Sequence, residues 1–466
     1  MEIEFIGGAR TVTGSQHLLH INGKKILLEC GLFQGRRDDT YNKNKNFRYN
    51  PSEIDALILS HAHIDHSGNI PNLVSKGFKG LIYATSATVD LCQIMLRDSA
   101  QLQKKDIDYV NKKRKKKNES ALDPLYTLED VENAMHQFAG VQYNQAIDLF
   151  PGIRFTFRDA GHILGSAGVH LEIEESGNKK INFGFSGDIG RTDSPVIKSP
   201  DVLRDLDILI MESTYGNRLH SPAEEVEEDL ASTIREVIDN GGKIIIPAFA
   251  VGRTQTIVYM LHKLFNQNRI PEIPIYVDSP LAVDATEVFR SHPECLDRET
   301  YRIFLDNNHD PFGFDKLHYI KKTEESKKLN EKEEPMIIIS ASGMAEGGRI
   351  LHHLKHNISS SKNLILFVGY AAEHTLARKI MDGNQFVNIF GEEYEVKAKF
   401  KKMDYFSGHA DQQELLDYLR LNSTNTLNNV FLVHGEEDMA LPFKEKLLQK
   451  GYKKVFFPAS GEKINF

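Results

Sequence analysis

The pattern of apolar and polar positions divides the chain into stretches of different style. Up to about residue 205, short apolar runs are punctuated by glycine and asparagine and are joined by turns and helix-like segments, which predicts a β-rich region with βα units. Beyond that point apolar strands alternate regularly with helical segments, which is typical of a parallel sheet covered on both faces. The strands of this alternation are predicted at "DILIMEST", "KIIIPAFA", "IPIYVDSP", "PMIIISAS" and "NLILFVGY".

The end of the chain returns to the earlier style. "EYEVKAKFKKM" alternates between apolar and polar residues and predicts one half-buried strand, and two turns that carry a histidine follow it. We therefore predict an α/β protein in which the two β-rich parts form one domain that an α/β segment interrupts. The predicted boundaries are residues 1–212 and 397–466 for the first domain and 213–396 for the insert.

Composition narrows the functional classes. A chain of 466 residues is long enough for two domains, and its net charge of −8 means that any contact with nucleic acid must rely on local positive charge. The three cysteines show no paired spacing, the start does not look like a signal peptide, and the apolar runs are too short to span a membrane. We expect a cytoplasmic protein without a membrane partner.

Titratable residues are concentrated in "SHAHIDHSG", directly after a predicted strand. His61 and His63 are two residues apart and point the same way in extended backbone, whereas Asp65 and His66 lie where the chain turns. Burying three imidazoles and a carboxylate without a cation would be costly. One metal cannot easily take all four side chains from so short a turn, but two neighbouring metals can share them.

Further ligands are available at three later strand ends or glycine-rich turns. Imidazole and carboxylate donors suit zinc, and iron or manganese is also compatible with them. The simplest allocation gives each of two metals its own donors and one shared carboxylate: His61, His63 and His162 for the first metal, Asp65, His66 and His434 for the second, and Asp188 as the bridge. This arrangement is the one expected for two-metal hydrolysis of a phosphodiester.

The motifs resemble those of a known family along nearly the whole chain. Besides "HAHIDH", the matching segments are "GARTVTGS", "CGLFQG", "GHILGSAG", "SGDIGR", "ESTYGNR", "PAFAVGRTQ", "SASGM", "FSGHAD" and "LVHGE". Together they resemble the β-CASP branch of RNA-processing enzymes in the metallo-β-lactamase superfamily. The resemblance implies a metallo-β-lactamase αββα sandwich with an inserted parallel-sheet β-CASP domain, and a minimal enzyme without added domains.

The resemblance also implies residue roles. It groups His61, His63, His162 and Asp188 around a first zinc ion and Asp65, His66, Asp188 and His434 around a second. Asp65, Glu212 and His409 are the expected catalytic residues, with His409 protonating the leaving oxygen and Glu212 orienting its ring, a role that suits the near-neutral titration of histidine. One departure is Glu29, which stands where the family commonly has aspartate beside the metal-ligand loop.

Several loops of the insert carry groups suited to phosphates. Arg253, Ser342, Gly343 and Arg349 follow predicted strands, and glycine amides and helix N-termini bind phosphate without reading the base. The other basic candidates are "KKRKKK" at 112–117 and the lysines 397, 399 and 401. Each of these basic stretches is also compatible with an ordinary solvated surface.

We predict a zinc-dependent ribonuclease that cleaves single-stranded RNA by two-metal hydroxide attack and leaves a 5′-phosphate and a 3′-hydroxyl. The alternatives are a metallo-β-lactamase-fold hydrolase acting on a thioester or another small molecule, and a non-catalytic RNA-processing scaffold. The sequence leaves open a homodimer, the choice between endonuclease and 5′-exonuclease action, and the RNA that is cut.

Overall fold

The structure is a computed structural model that describes residues 1–35, 37–175, 177, 179–220, 223–305, 310–369 and 371–466. It divides into two compact units, each of which has its own sheets. Unit 1 comprises Met1–Asp193, Ser199–Leu219 and His409–Phe466, and unit 2 comprises Ser194–Lys198 and His220–Gly408.

The strands of the described residues are, in chain order, β1 Glu2–Gly7, β2 Gln16–Ile21, β3 Lys24–Leu28, β4 Ala56–Ile58, β5 Leu81–Thr85, β6 Phe138–Val141, β7 Ala146–Phe150, β8 Ile153–Asp159, β9 Ala167–Glu175, β10 Lys179–Phe185, β11 Ile208–Glu212, β12 Ile244–Pro247, β13 Ile275–Val277, β14 Leu317–Tyr319, β15 Ile337–Ser340, β16 Leu364–Phe367, β17 Phe386–Ile389, β18 Glu392–Glu395, β19 Lys399–Lys402, β20 Asn429–Val433, β21 Val455–Phe456 and β22 Glu462–Asn465. The helices are α1 Arg37–Lys45, α2 Ile64–Ser67, α3 Ile70–Ser75, α4 Ser86–Lys116, α5 Leu128–Met135, α6 Ala223–Asp239, α7 Arg253–Asn266, α8 Pro280–Ser291, α9 Arg298–Leu305, α10 Thr323–Leu329, α11 Ile350–Asn357, α12 Leu376–Met381, α13 Gln412–Leu419 and α14 Glu437–Gln449.

The described part of unit 1 is built on two sheets that pack face to face. The first has the order β22-β1-β2-β3-β4-β5-β6, antiparallel from β22 to β3 and parallel from β3 to β6. The second has the order β21-β20-β11-β10-β9-β8-β7, antiparallel between β7 and β10 and parallel beyond β10. Both the first and the last segments of the chain therefore contribute strands to this unit.

The core of unit 1 lies between these sheets. Phe5 and Ile26 from the first sheet and Phe155, Phe183 and Phe431 from the second belong to one buried apolar cluster. A second cluster covers the outer face of the second sheet, where α13 and α14 pack their apolar faces on β11 and β20. Helices therefore flank a pair of sheets, as in an αββα sandwich.

Unit 2 has a parallel sheet of the order β14-β13-β15-β12-β16-β19 and a small antiparallel pair formed by β17 and β18. Strands β12 ("IIIP") and β15 ("IIIS") are buried along their length because helices cover both faces of a parallel sheet. The predicted α/β class and the parallel sheet are confirmed.

Two predicted elements differ from the structure. The strand in "DILIMEST" is β11, which lies in the second sheet of unit 1 rather than in the sheet of unit 2. "EYEVKAKFKKM" is not one strand, since β18 pairs with β17 whereas β19 pairs with β16, and residues 396–398 lie between them. None of the helices among the described residues has the length and apolar character needed to cross a membrane.

Candidate metal centre

The segment that carries most of the predicted ligands follows β4 and is fixed by backbone contacts. The backbone N–H of Ser15 donates to the carbonyl of Asp65 at 2.8 Å, and that of Cys30 donates to the carbonyl of His66 at 2.8 Å. Gly31 makes this approach feasible, because a Cβ atom there would lie 1.6 Å from the Asp65 carbonyl oxygen. The loop after β3 therefore sets the position of the histidine-rich turn.

Three imidazoles and a carboxylate of unit 1 converge in a first group. Nε2 of His61 and Nε2 of His162 each lie 3.2 Å from Nδ1 of His63. Oδ2 of Asp188 lies 3.5 Å from Nε2 of His61 and 3.6 Å from Nε2 of His162. The spacing brings together the four residues assigned from the sequence to one metal.

A second group lies on the other side of Asp188. Nε2 of His66 is 3.2 Å from Nε2 of His434 and 3.3 Å from Oδ2 of Asp188. Nε2 of His434 is 3.3 Å from Oδ2 of Asp65, and Nδ1 of the same ring is 3.5 Å from Oδ1 of Asp188. Asp188 thus lies between the two groups, as its predicted bridging position requires.

The donor set fits metal ions. A neutral imidazole has one N–H, so the nitrogens that face each other here cannot all be satisfied by hydrogen bonds. Oδ1 of buried Asp188 accepts no hydrogen bond from the described residues. Burial lowers the pKa of His63 to about 4 and holds the pKa of His61 well below its usual value, so both rings are neutral and able to coordinate a cation.

The two carboxylates of the site, Asp188 and Asp65, are ionised. Burial opposes the ionisation of Asp188, but its electrostatic interactions with the surrounding imidazoles, His434 first, outweigh burial and hold the pKa of Asp188 well below its usual value. The same competition holds the pKa of Asp65 below its usual range, with His66 making the largest contribution against burial. Both carboxylates are therefore ionised, and against burial the pKa of His66 is raised well above its usual value by Asp188 and Asp65, so metal binding at this ring would release a proton.

Three side chains behind the donor groups orient the ligands, and only Glu29 among them was singled out from the sequence. Ser60 accepts a hydrogen bond from Nδ1 of His61 at 2.9 Å and donates its hydroxyl to Oε2 of Glu29 at 3.0 Å. Glu29 also accepts Nδ1–H of His66 at 2.6 Å, which turns Nε2 of that ring towards the centre. Thr214 contacts Nδ1 of His434 at 3.0 Å through its hydroxyl oxygen. The only sequence signal for Ser60 and Thr214 is their position beside quoted motifs.

Glu212 and His409 form a pair beside the ligands. Nδ1 of His409 lies 3.1 and 3.2 Å from the two carboxylate oxygens of Glu212, and 3.9 Å from Oδ2 of Asp188. Glu212 is fully buried and accepts the backbone N–H of Ile189 at 2.6 Å. Burial alone would lower the pKa of His409, but the charge and hydrogen bond of Glu212 raise it to about 9. The pair therefore provides a protonated imidazole held in a fixed orientation.

The four predicted substrate-binding residues lie in unit 2. Arg253 begins α7, after the loop that follows β12, whereas Ser342 and Gly343 lie in the loop that follows the neighbouring strand β15. These loops touch, because a Cβ atom on Gly343 would lie 3.1 Å from the ring of Phe249. Their positions at the carboxyl ends of parallel strands agree with the prediction, and the binding role stays a prediction.

Arg349 has partners within unit 2. Its guanidinium donates to Oδ1 of Asp278 at 2.6 Å and to the carbonyls of Ile320 and Lys321 at 3.1 and 2.5 Å. Asp278 also accepts Nε2–H of His353 at 2.6 Å. Arg349 therefore joins α11 to β13 and β14, and this contact was not visible in the sequence.

A two-sheet sandwich with histidine and carboxylate ligands at its strand ends defines a metallo-hydrolase of the metallo-β-lactamase class. Three family models match the chain: a "Metallo-beta-lactamase superfamily domain" over residues 18–180, a "Beta-Casp domain" over 254–380, and a "Zn-dependent metallo-hydrolase RNA specificity domain" over 393–458. The chain belongs to the β-CASP branch of the metallo-β-lactamase superfamily. The predicted family and fold class are confirmed.

Curated relatives match over almost the whole chain. "Ribonuclease TTHA0252" of Thermus thermophilus is 36% identical over 451 residues, which cover 97% of each chain. An "RNase J-like protein" of Methanocaldococcus jannaschii is 33% identical over 462 residues, which cover 98% of each chain. "Transcription termination factor FttA" of the same organism is 31% identical over 473 residues, which cover 100% of this chain and 71% of the relative.

A solved structure supports the fold alone. The crystal structure of a protein of unknown function from Enterococcus faecalis V583 aligns with a TM-score of 0.56 at 12% identity and covers 99% of each chain.

Proposed function

We propose that the protein is a zinc-dependent ribonuclease that hydrolyses phosphodiester bonds of single-stranded RNA with two zinc ions. The observation that carries the proposal is the convergence of seven donor residues in two groups that share Asp188, beside the Glu212–His409 pair. The family supports a metal-dependent nuclease, and the relatives named ribonuclease and RNase J-like match the chain end to end. Nitrogen and carboxylate donors favour zinc.

The residues would hold the metals in the two groups described above. When bound, the metal ions supply Lewis acidity and lower the pKa of water, which provides a nucleophile at neutral pH. Asp188 contributes a carboxylate to both groups, and Asp65 to one. Glu29, Ser60 and Thr214 fix the ring orientations, so the donor nitrogens keep their positions without induced rearrangement.

Protonation of the leaving group is assigned to His409. Expulsion of a ribose 3′-oxygen needs a proton, and a protonated imidazole beside the donor groups is suited to give it. Glu212 accepts the Nδ1–H of His409, so Nε2–H is the proton that remains available for transfer. Because Glu212 is itself held by the N–H of Ile189, the pair keeps this geometry before substrate binds.

The test compares two variants on end-labelled single-stranded RNA. Asp65→Asn removes a metal ligand and is expected to abolish both full zinc loading and cleavage. His409→Ala leaves the ligands in place and is expected to keep zinc but to slow cleavage by roughly 100- to 10,000-fold. Zinc per chain is measured by mass spectrometry, and products are sized with blocked and free 5′ ends, which distinguishes endonuclease from 5′-exonuclease action.

His136→Ala serves as the matched control, because His136 is exposed at the end of α5 and outside the ligand groups. It should cleave RNA at the wild-type rate. Undiminished cleavage by Asp65→Asn would contradict the proposal, and so would turnover of a thioester or another small ester with none of RNA.

The cellular setting is also proposed. Cys30, Cys92 and Cys295 are buried thiols that form no disulfide with one another, which suits a reducing cytoplasm. A homodimer stays a prediction that sedimentation of the purified protein would test.

A further inference from the structure

The distal half of α4 carries the longest run of like charge in the chain, "KKRKKK" at 112–117. Two more lysines precede it on the same helix. We call the exposed cations of this region the α4 basic patch: Lys104, Lys105, Lys112, Lys113, Lys115, Lys116 and Lys117. In a chain of net charge −8, so dense a positive surface is suited to attract an anionic partner.

The helix presents these lysines away from the protein. Ala100 and Ile107 are buried and mark the face of α4 that packs on unit 1. Lys105, Lys112 and Lys116 are spaced i, i+7 and i+11, and with 3.6 residues per turn they lie on the side opposite Ile107. The apolar face is thus largely used for packing, and the free face carries these lysines together with exposed Leu102, Asp106 and Asp108.

The charges of the patch are not neutralised within the described part of the chain. Lys112, Lys115 and Lys116 have no carboxylate partner there, whereas neighbouring Arg114 pairs with Glu119 at 3.0 Å. The other basic candidate of the sequence behaves differently. Its members are each ion-paired in unit 2: Lys397 with Glu395 at 2.7 Å, Lys399 with Glu236 at 2.9 Å, and Lys401 with Asp229.

An aromatic ring lies among the lysines. Tyr109 is 58% exposed, and Nζ of Lys113 lies 4.5 Å from its ring centroid. A shallow depression of about 320 Å³ adjoins the ring, and it is lined by Tyr109, Val110, Lys113, Arg114, Lys116, Lys117 and Glu119. Exposed aromatic rings between cations are the platforms on which single-stranded nucleic acids stack their bases while lysines follow the phosphates.

We propose that the α4 basic patch is a second contact site for single-stranded RNA, separate from the metal centre and independent of base sequence. The proposal rests on the proposed function, because it takes RNA as the substrate. An anionic membrane is the less suitable partner, since a helix that lies on a membrane inserts an apolar face, and most apolar side chains of α4 are buried in unit 1, with Leu102 the exposed aliphatic exception.

The binding test uses the full chain with Asp65→Asn, so that RNA is not consumed. The affinity for a fluorescent oligouridine of about 30 nucleotides is measured by anisotropy between about 50 and 200 mM salt. Replacing Lys112, Lys115 and Lys116 together by Gln is expected to weaken binding about tenfold and to lower the slope of log affinity against log salt by about 2. Tyr109→Ala is expected to weaken binding several-fold with an unchanged slope, because it removes stacking and no charge.

The matched control replaces Lys450, Lys453 and Lys454 by Gln, which changes the net charge by the same amount at exposed positions of unit 1. Its affinity should stay within twofold of the parent. Equal weakening by both triple variants would overturn the proposal, because the effect would then reflect total charge. Binding of vesicles rich in phosphatidylserine that depends on the patch, with RNA affinity unchanged, would also overturn it.

Cleavage distinguishes this proposal from the proposed function. Cleavage is measured in the wild-type chain, which keeps Asp65. If that chain cuts RNA but the patch variants bind RNA as tightly as their parent, the patch proposal fails and the proposed ribonuclease function is retained. If the chain cuts no RNA, the ribonuclease fails, and the anisotropy result still decides whether the patch binds RNA.

Discussion

At the scale of single residues, the site depends on groups that never reach the substrate. Glu29 is fully buried and receives hydrogen bonds from His66 Nδ1, from the Ser60 hydroxyl and from the Ser60 backbone N–H, the last at 2.6 Å. Burial raises the pKa of Glu29, and the bond from His66 counteracts that rise. The carboxylate therefore fixes the orientation of one ligand and the start of the loop that carries two more.

Glu29→Gln keeps the size of this side chain but removes its charge. We expect zinc affinity to fall by roughly 10- to 100-fold, because the ring of His66 loses its charged acceptor. The measurement is competition with a chromogenic chelator. Glu29→Asp, which restores the residue common in the family, is the matched variant and should retain more affinity than Gln. Wild-type affinity in Glu29→Gln would show that the carboxylate does not support the centre.

The sequence pointed to the seven donor residues that converge, but among the side chains that orient them it pointed only to Glu29. The seven donor residues were predictable because a cluster of histidines and aspartates at strand ends is costly to bury without a cation. Ser60 and Thr214 were not, since a hydroxyl beside a ligand is ordinary in any sequence. Arg349 was predicted as a phosphate donor, but its ion pair with Asp278, 71 positions away, requires the fold to be seen.

At the scale of elements, Asp278 connects three parts of unit 2. This fully buried residue follows β13, and it accepts from Ser326 of α10, from His353 of α11 and from Arg349 at the start of α11. Burial alone would raise the pKa of Asp278, but these hydrogen bonds lower it below its ordinary value. Ionised Asp278 thus stabilises the packing of both helices against the sheet.

Asp278→Asn should lower the free energy of unfolding of unit 2 by roughly 3 kcal/mol, because it leaves the guanidinium of Arg349 and the ring N–H of His353 without their charged acceptor. Since folding lowers this pKa, the stabilisation is present above the unfolded value of about 4 and is lost as the pH falls below it. The difference in the free energy of unfolding between wild type and variant should therefore become smaller at acid pH. Denaturant unfolding at several pH values measures it.

Asp284→Asn is the control for that experiment. Asp284 forms a partly exposed ion pair with Lys321 in the same unit, and such pairs contribute about 0–1 kcal/mol. A loss in Asp278→Asn no larger than in the control would contradict the proposed role of the buried network.

The sequence predicted which segments are buried strands, but it did not predict which strands pair with each other. Strand β11 and strand β12 are both short apolar runs buried along their length, yet they belong to sheets of different units. The spacing and type of the apolar residues predict that a strand is buried on both faces. They do not predict which of the two sheets the strand joins, because a strand can be buried on both faces in either one. The pairing of β11 with β20 depends on a segment more than 200 residues later, which no local pattern encodes.

At the scale of the whole molecule, the centre exists only when the two ends of the chain meet. Asp65 and His434 are 369 positions apart, and they contact each other in unit 1, to which both ends contribute. Metal binding is therefore coupled to the folding of unit 1. We propose that this site holds two metals and that cleavage of RNA requires both.

Titration of zinc into the metal-free protein, with the rate of single-stranded RNA cleavage measured at each addition, tests that claim most directly. The two groups that share Asp188 predict that the rate keeps rising until two equivalents per chain are bound, and that Asp65→Asn stays inactive throughout. A full rate in the metal-free protein, or one reached at a single equivalent, would show that cleavage does not require two metals.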